Sequence, residues 1–155
     1  VLIAIDTMRA DHLGVYGCSR RVSRHLDALA RDSVVFSNAI APAPSTTPSL
    51  AAVFTGFHPG ALGIQNEPTP LPPEATTIAE VLCQTGYQTA GVVSHSFVGL
   101  TYGFDRGFER WDQSSIWGHA FVSSINVTDR ALAFLDTFAS DRPFFLVPHA
   151  NVCTV

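Results

Sequence analysis

Four polar positions stand where apolar stretches of the chain end, and each carries a group that can take part in chemistry. They are Asp6, the hydroxyl cluster at 45–47, His95 and His149. A carboxylate can bind a divalent cation, an alcohol can attack an ester, and an imidazole can bind a metal or move a proton. If the apolar stretches are parallel strands, their carboxyl ends meet at the edge of the sheet where ligands bind in open α/β folds. We therefore expect these positions to converge on one site.

Asp6 is a single carboxylate directly after the apolar run VLIAI. A hard or borderline divalent cation would keep this carboxylate ionised, so Asp6 is a candidate metal ligand. The alternative is a turn residue, because Asp often follows a strand in this way. Asp11 and His12 come shortly afterwards and indicate the turn itself.

Thr46 is the candidate nucleophile of the hydroxyl cluster. Pro48 is suited to the first position of a helix, which makes Thr47 the expected N-cap and places Thr46 just before it. The positive end of a helix favours an anionic group such as a sulfate or phosphate ester. A threonine hydroxyl needs a base or a metal to gain alkoxide character, so Thr46 is credible as a nucleophile if it shares a cation with Asp6. The alternative is that the hydroxyls only cap the helix.

His95 and His149 are candidate catalytic residues because each directly follows a predicted strand or ends one. An imidazole there can act as a general acid, contact an ester oxygen or bind a metal. A histidine at a strand end can equally be a buried structural residue whose hydrogen bonds are satisfied. The sequence leaves both interpretations open.

The composition restricts the class of protein. Of 155 residues, 46% are apolar and 14% are charged, which is typical of a compact, well-buried α/β domain. The nine basic residues are all arginine and form no extended basic stripe, so we expect no nucleic-acid partner. No apolar run approaches the roughly 20 residues that cross a bilayer, so no membrane segment is predicted. The cysteines have neither metal-binding spacing nor a disulfide framework: Cys18, Cys83 and Cys153.

Strand and helix patterns alternate along the chain and predict a mainly parallel sheet covered on both faces. Strands are predicted at 1–5, 34–40, 87–94 and 143–149. Helices are predicted at 23–33, from Pro48 to just before Gly56, at 78–85 and at 119–139, with a Thr77–Glu80 capping box before the third. No domain boundary is evident. Both ends lie in apolar runs, which predicts a fragment truncated at both ends.

Three sequence blocks, in this order, resemble the N-terminal part of sulfatases in the alkaline-phosphatase-like superfamily. The first is VLIAIDTMRADHLGVYG, which is similar to that family's opening strand and metal-binding loop. The second is HLDALARDSVVFSNAIAPAPSTTPSLAAVFTGFHP, which is similar to its nucleophile block. The third is TTIAEVLCQTGYQTAGVVS with the later GFDRGFE, which is similar to its next helix, strand and turn. The resemblance implies that residues 1–155 are the N-terminal portion of one sulfatase-like domain with a three-layer α/β/α fold.

The resemblance also implies a reaction: metal-assisted attack on a sulfate or phosphate ester of a small molecule, glycan or lipid, through a covalent intermediate. The implied cofactor is a divalent ion, Ca, Mg, Mn or Zn. Family sulfatases convert a Cys or Ser to formylglycine in a Cys/Ser-x-Pro-x-Arg motif, and here Thr46 stands at the nucleophile position and Leu50 at the arginine. The paired acids of the metal loop appear as Asp6-Thr7. These departures resemble the superfamily's phosphotransferases and phosphoesterases, in which an unmodified threonine attacks phosphorus.

Three functions remain open on this resemblance. The first is a fragment of a metal-dependent sulfuric or phosphoric ester hydrolase, with Thr46 as nucleophile and Asp6 holding part of the metal. The second is a phosphoethanolamine- or phosphoglycerol-type transferase. The third is a sulfatase-like binding domain without catalysis. The family completes its metal site with an Asp-His or Asp-Asn pair much later in the chain, so the isolated 155 residues are expected to be inactive.

Overall fold

The computed structural model of the protein describes residues 1–66, 68–116 and 124–151. Its strands are β1 (Ala4–Asp6), β2 (Gln88–Val93), β3 (Arg110–Asp112) and β4 (Phe144–Asn151). Its α-helices are α1 (Arg24–Ala30), α2 (Thr46–Thr55), α3 (Ile78–Gln84) and α4 (Ser124–Leu135). The chain forms two compact units, one of Val1–Asp6 with Pro42–Val155 and the other of Thr7–Ala41.

The larger unit contains a parallel sheet. Among the described residues its strand order is β1-β4-β2-β3, and each neighbouring pair is parallel. Every residue of β2 is buried, as expected for a strand of a parallel sheet that is covered on both faces. The mainly parallel sheet predicted from the sequence is thus confirmed.

Helices cover both faces of the sheet. On one face, Ala51 and Phe54 of α2 and Ala79 of α3 belong to one buried cluster with Val93 and Val147 of the sheet. On the other face, α4 contributes to a second cluster, whose buried members are Ala90, Val92, Val127, Ala131 and Leu146. Successive strand residues point to opposite faces, which is why Val92 and Val93 lie in different clusters. The result is the expected three-layer α/β/α arrangement.

Helix α2 begins earlier than predicted. Ser45 is its N-cap, with an extended backbone (φ −122°, ψ 157°), so Thr46 is the first helical residue and Pro48 the third. The prediction that Thr47 is the N-cap and Pro48 the first helical residue was wrong. A proline is tolerated anywhere in this turn because these N–H groups have no acceptor within the helix. The helix ends at Gly56 as predicted, and this glycine adopts the left-handed conformation (φ 73°).

The capping box before α3 is present as predicted. The Thr77 hydroxyl accepts the Glu80 N–H at 3.1 Å, and the Glu80 carboxylate accepts the Thr77 N–H at 2.7 Å. These two bonds satisfy N–H groups that the first turn of the helix leaves without partners.

Two other predictions were wrong or incomplete. Residues 34–40 form no strand, and their apolar side chains are largely exposed, with Phe36 at 71% and Ile40 at 90%. An apolar run forms a strand only where another strand pairs with it, and within the described chain this run has none. The short strand β3 is not among the predicted strands. The first part of the predicted last helix, 119–123, lies outside the described residues, as does Cys153.

The smaller unit, Thr7–Ala41, consists of α1 and two 3₁₀ turns at Ala10–His12 and Gly14–Tyr16. Ser23 precedes α1, and its hydroxyl accepts the Gly14 N–H at 2.8 Å and bonds the Asp27 carboxylate at 3.0 Å. Asp27 in turn accepts the Val15 N–H at 2.8 Å, which fixes the second turn against the helix. None of the described helices combines the length and apolar character that crossing a membrane requires.

Candidate active site

Asp6 and Thr46 meet although 40 positions separate them in the chain. Asp6 is the last residue of β1, and Thr46 is the first residue of α2. The Thr46 hydroxyl donates a hydrogen bond to Asp6 Oδ2 at 2.7 Å, and the Asp6 side chain is 19% exposed. One ion or one proton can therefore reach both oxygens.

His149 lies close to the same carboxylate oxygen. It is in β4, paired in register with Ala4 of β1, and its Nε2 lies 3.6 Å from Asp6 Oδ2. The side chain is 3% exposed, and its Nδ1 has no hydrogen-bond partner within the part of the chain that the structure describes. A buried imidazole beside a carboxylate can form an ion pair when protonated or offer a lone pair to a cation when neutral.

His95 is linked to the start of α2 through the backbone of Phe97. Its Nδ1 accepts the Phe97 N–H at 3.2 Å, while the Thr47 hydroxyl donates to the Phe97 carbonyl at 3.2 Å. Because Nδ1 is an acceptor, a neutral His95 ring carries its proton on Nε2. Its Nε2 edge is then a hydrogen-bond donor, which suits an ester oxygen better than a metal ion.

The residues present fit part of a divalent-metal site. Asp6 and Thr46 supply oxygens 2.7 Å apart, and His149 supplies a nitrogen 3.6 Å from the same carboxylate oxygen. Oxygen ligands suit Ca, Mg and Mn, and imidazole nitrogen suits Zn. The described residues include no set of three His, Cys, Asp or Glu side chains that could hold a metal. The chain thus supplies a partial ligand set.

Leu50 has a packing role instead of a charged one. It is partly buried and packs against the cluster that contains Ala51 and Phe54. No cation comes from this position, so the positive end of α2 is the local feature that favours an anion beside Thr46.

Two residues near the site were missed by sequence reasoning. Asn151 of β4 is paired in register with Asp6, so both side chains leave the same face of the sheet. Its position two residues after His149 was the available signal, because strand residues alternate between faces. Thr7, directly after Asp6, has φ 58°, a region rare for a β-branched residue and common at functional sites. No sequence pattern could indicate that backbone strain.

Asp11 is occupied by a local ion pair. Its carboxylate lies 2.6 Å from the guanidinium of Arg9, and both groups are exposed. The hydrogen bond from Arg9 holds the pKa of Asp11 below its usual value. This agrees with the prediction that Asp11 belongs to the turn.

Comparison with known proteins places the chain in a family. The family model described as Sulfatase matches residues 1–151. The chain belongs to the sulfatase family. Over 90 residues it is 38% identical to the ulvan-active sulfatase of Formosa agariphila, a match that covers 58% of this chain and 18% of that protein. It is 33% identical over 132 residues to human arylsulfatase A, covering 69% of this chain and 26% of that protein.

The solved structures that resemble this sulfatase-family chain share its fold. One is BT4656 in complex with its substrate D-glucosamine-2-N,6-O-disulfate, with a TM-score of 0.82, 20% identity, and coverage of 96% of this chain and 33% of that one. Another is the C-terminal periplasmic domain of EcEptC from Escherichia coli in complex with Zn, with a TM-score of 0.71, 17% identity, and coverage of 96% and 42%. The chain thus spans about a fifth to two fifths of the length of these relatives.

Proposed function

We propose that the protein containing this chain is a metal-dependent hydrolase of sulfuric or phosphoric esters in which Thr46 is the nucleophile. The observation that carries the proposal is the 2.7 Å hydrogen bond from the Thr46 hydroxyl to Asp6 Oδ2. It pairs an alcohol with a proton acceptor at the positive end of a helix, which is the arrangement that an activated nucleophile requires.

Each side chain has a separate task in this proposal. Thr46 Oγ1 forms a bond to the sulfur or phosphorus atom as the ester bond breaks, and its proton passes to Asp6. A protonated His149 or a protonated His95 supplies a proton to the departing alcohol oxygen and becomes neutral imidazole. Water, or a second alcohol in a transferase, then displaces Thr46 from the sulfuryl or phosphoryl group.

Asp6 and Thr46 would hold a divalent cation at this site, together with ligands from outside the described residues. Such an ion supplies Lewis-acid polarisation and lowers the pKa of a bound hydroxyl. The zinc reported for the EcEptC domain supports divalent-metal use in this fold, while the oxygen donors here also suit Ca, Mg or Mn.

The proposed substrate is a sulfate or phosphate ester on a small molecule, a glycan or a lipid. Sulfated sugars are supported by BT4656, whose reported substrate is a glucosamine disulfate. Phosphate esters, in a phosphoethanolamine- or phosphoglycerol-type transferase, are the second candidate, because an unmodified threonine is a better match to attack on phosphorus and Leu50 packs into the core. A sulfatase-like binding domain without catalysis is the remaining alternative.

The test compares Thr46→Val with Thr55→Val in the full-length protein. Both residues lie in α2, but the Thr55 hydroxyl donates to the Ala51 carbonyl at 2.7 Å and has no part in the proposed chemistry. Turnover of aryl sulfates and aryl phosphate esters is measured with added Mg, Ca, Mn or Zn. We expect Thr46→Val to lower kcat by at least about 1,000-fold and Thr55→Val to leave it unchanged. Full turnover by Thr46→Val would remove Thr46 from the mechanism.

The isolated chain gives a second check. Because the described residues supply only part of a metal site, residues 1–155 alone should not hydrolyse either class of ester with any of these ions. Turnover by the isolated chain would mean that these residues are sufficient for catalysis.

A further inference from the structure

The hydroxyl of Ser94 bridges two backbone groups of β4 on either side of Ala150. Ser94 is the first residue after β2 and is 4% exposed. Its Oγ donates to the His149 carbonyl at 3.2 Å and accepts the Asn151 N–H at 2.9 Å. One side chain thus satisfies both a donor and an acceptor at the end of the strand that carries His149.

We propose that Ser94 is a positioning residue of the candidate active site, which holds the end of β4 so that His149 lies beside Asp6. This inference rests on the proposed function, since it assigns Ser94 a role in that same site. Ser94 acts through His149, not on the substrate.

The sheet explains why a hydroxyl is needed at this point. The backbone pairing of β2 with β4 ends at Val93 and His149, whereas the pairing of β1 with β4 continues to Asp6 and Asn151. Beyond His149, β4 is therefore held by β1 on one side, and the Ser94 hydroxyl takes the place of a backbone partner on the other. The preceding residue, Pro148, has no N–H to give to the ladder, so the strand is already short of one bond just before His149.

Thr89, in the strand that precedes Ser94, provides a matched control. Its hydroxyl donates to the Gly107 carbonyl at 2.7 Å and accepts the Glu109 N–H at 2.9 Å. It therefore also bridges two backbone groups, here on either side of Phe108. Thr89 is fully buried and lies beside Phe145, four residues before His149 along β4. Loss of this hydroxyl removes the same two kinds of bond without touching the end of β4 near Asp6.

The experiment measures kcat, KM and thermal unfolding of Ser94→Ala, Thr89→Val and Thr46→Val in the full-length protein. Substitution of a residue that orients a ligating or catalytic group typically lowers activity by about 10- to 100-fold. We expect Ser94→Ala to lower kcat by that factor with KM within about threefold, since binding is not its task. Thr89→Val should lower the unfolding temperature by about as much as Ser94→Ala does. Its kcat, however, should stay within about threefold of that of the unchanged protein. If Ser94→Ala does not fold, Ser94→Cys keeps a weak donor and acceptor and should show a smaller loss of kcat.

The outcomes separate the two proposals. Equal kcat values for the Ser94 and Thr89 variants would overturn the positioning role, because both changes would then act only on stability. In that case a large decrease of kcat in Thr46→Val would still support the proposed function. Full activity of Thr46→Val would overturn the proposed function and, with it, the role of Ser94 in that site.

Discussion

At the scale of single residues, the charge of Asp6 should govern metal binding. Asp6→Asn keeps an oxygen that can accept the Thr46 hydrogen bond but removes the negative charge that attracts a cation. We expect the metal concentration for half-maximal activity of the full-length protein to rise by about 10- to 100-fold. Asp11→Asn is the control, because Asp11 is exposed and paired with Arg9. An unchanged metal requirement in Asp6→Asn would exclude Asp6 as a ligand.

Asp112, at the end of β3, should make stability depend on pH. Burial raises the pKa of its carboxyl, but hydrogen bonds from the Ser114 hydroxyl and N–H and the charge of Arg130 outweigh this, and the pKa is lowered. The folded state thus favours the ionised form. The corresponding stability is complete above the ordinary Asp pKa of about 3.9 and is lost as pH falls through the lowered folded value.

The measurement is urea unfolding of the protein and of Asp112→Asn at several pH values from 7 down to 3. At neutral pH the free energy of unfolding should be higher for the unchanged protein than for Asp112→Asn. This difference in free energy should shrink below about pH 4. A difference that is constant over this range would show that the charge of Asp112 does not contribute.

At the scale of elements, the capping box of α3 offers a stability prediction. Thr77 is fully buried, and its hydroxyl also donates to the Arg106 carbonyl at 3.0 Å. Thr77→Ala should lower the free energy of unfolding by about 1–2 kcal/mol in chemical denaturation, because an N-cap bond is lost and the partly buried Arg106 carbonyl loses its donor. Thr85→Ala, at the exposed other end of α3, should change it by less than about 0.5 kcal/mol. Equal effects would mean that the capping bonds do not stabilise the helix.

Elements were predictable where local chemistry alone determines them. The Thr77–Glu80 pair, the helix-ending Gly56 and the strand pattern that became β2 each contain their own signal, and each was found. The run at 34–40 has the same apolar composition as a strand, but strand formation depends on a partner that no local pattern reveals. The first residue of α2 was misplaced because a proline fits several positions in the first turn.

The candidate site was predictable in part for the same reason. Asp6 and His149 could be expected together because parallel strands end at one edge of the sheet, as β1 and β4 do. The bridging role of Ser94 and the register of Asn151 with Asp6 depend on strand order, which places β4 between β1 and β2. That order is a property of the folded sheet, so the sequence offered no signal for Ser94, and for Asn151 only its place two residues after His149.

At the scale of the whole molecule, the sheet brings residues together that are distant in the chain. β1 and β4 come from opposite ends of the chain and carry Asp6 and His149 side by side, and α2 adds Thr46 from the first third. Membership of the sulfatase family extends over residues 1–151, so the whole sheet and its helices belong to the shared fold. The proposed chemistry rests on the Thr46 hydroxyl and on the core packing of Leu50.

The most direct test is a crystal structure of the full-length protein grown with Mn²⁺, with an anomalous difference map collected at the manganese edge. The account predicts a peak that lies about 2.0–2.6 Å from both a carboxylate oxygen of Asp6 and Oγ1 of Thr46. A manganese ion bound elsewhere, or one that contacts neither of these oxygens, would contradict it.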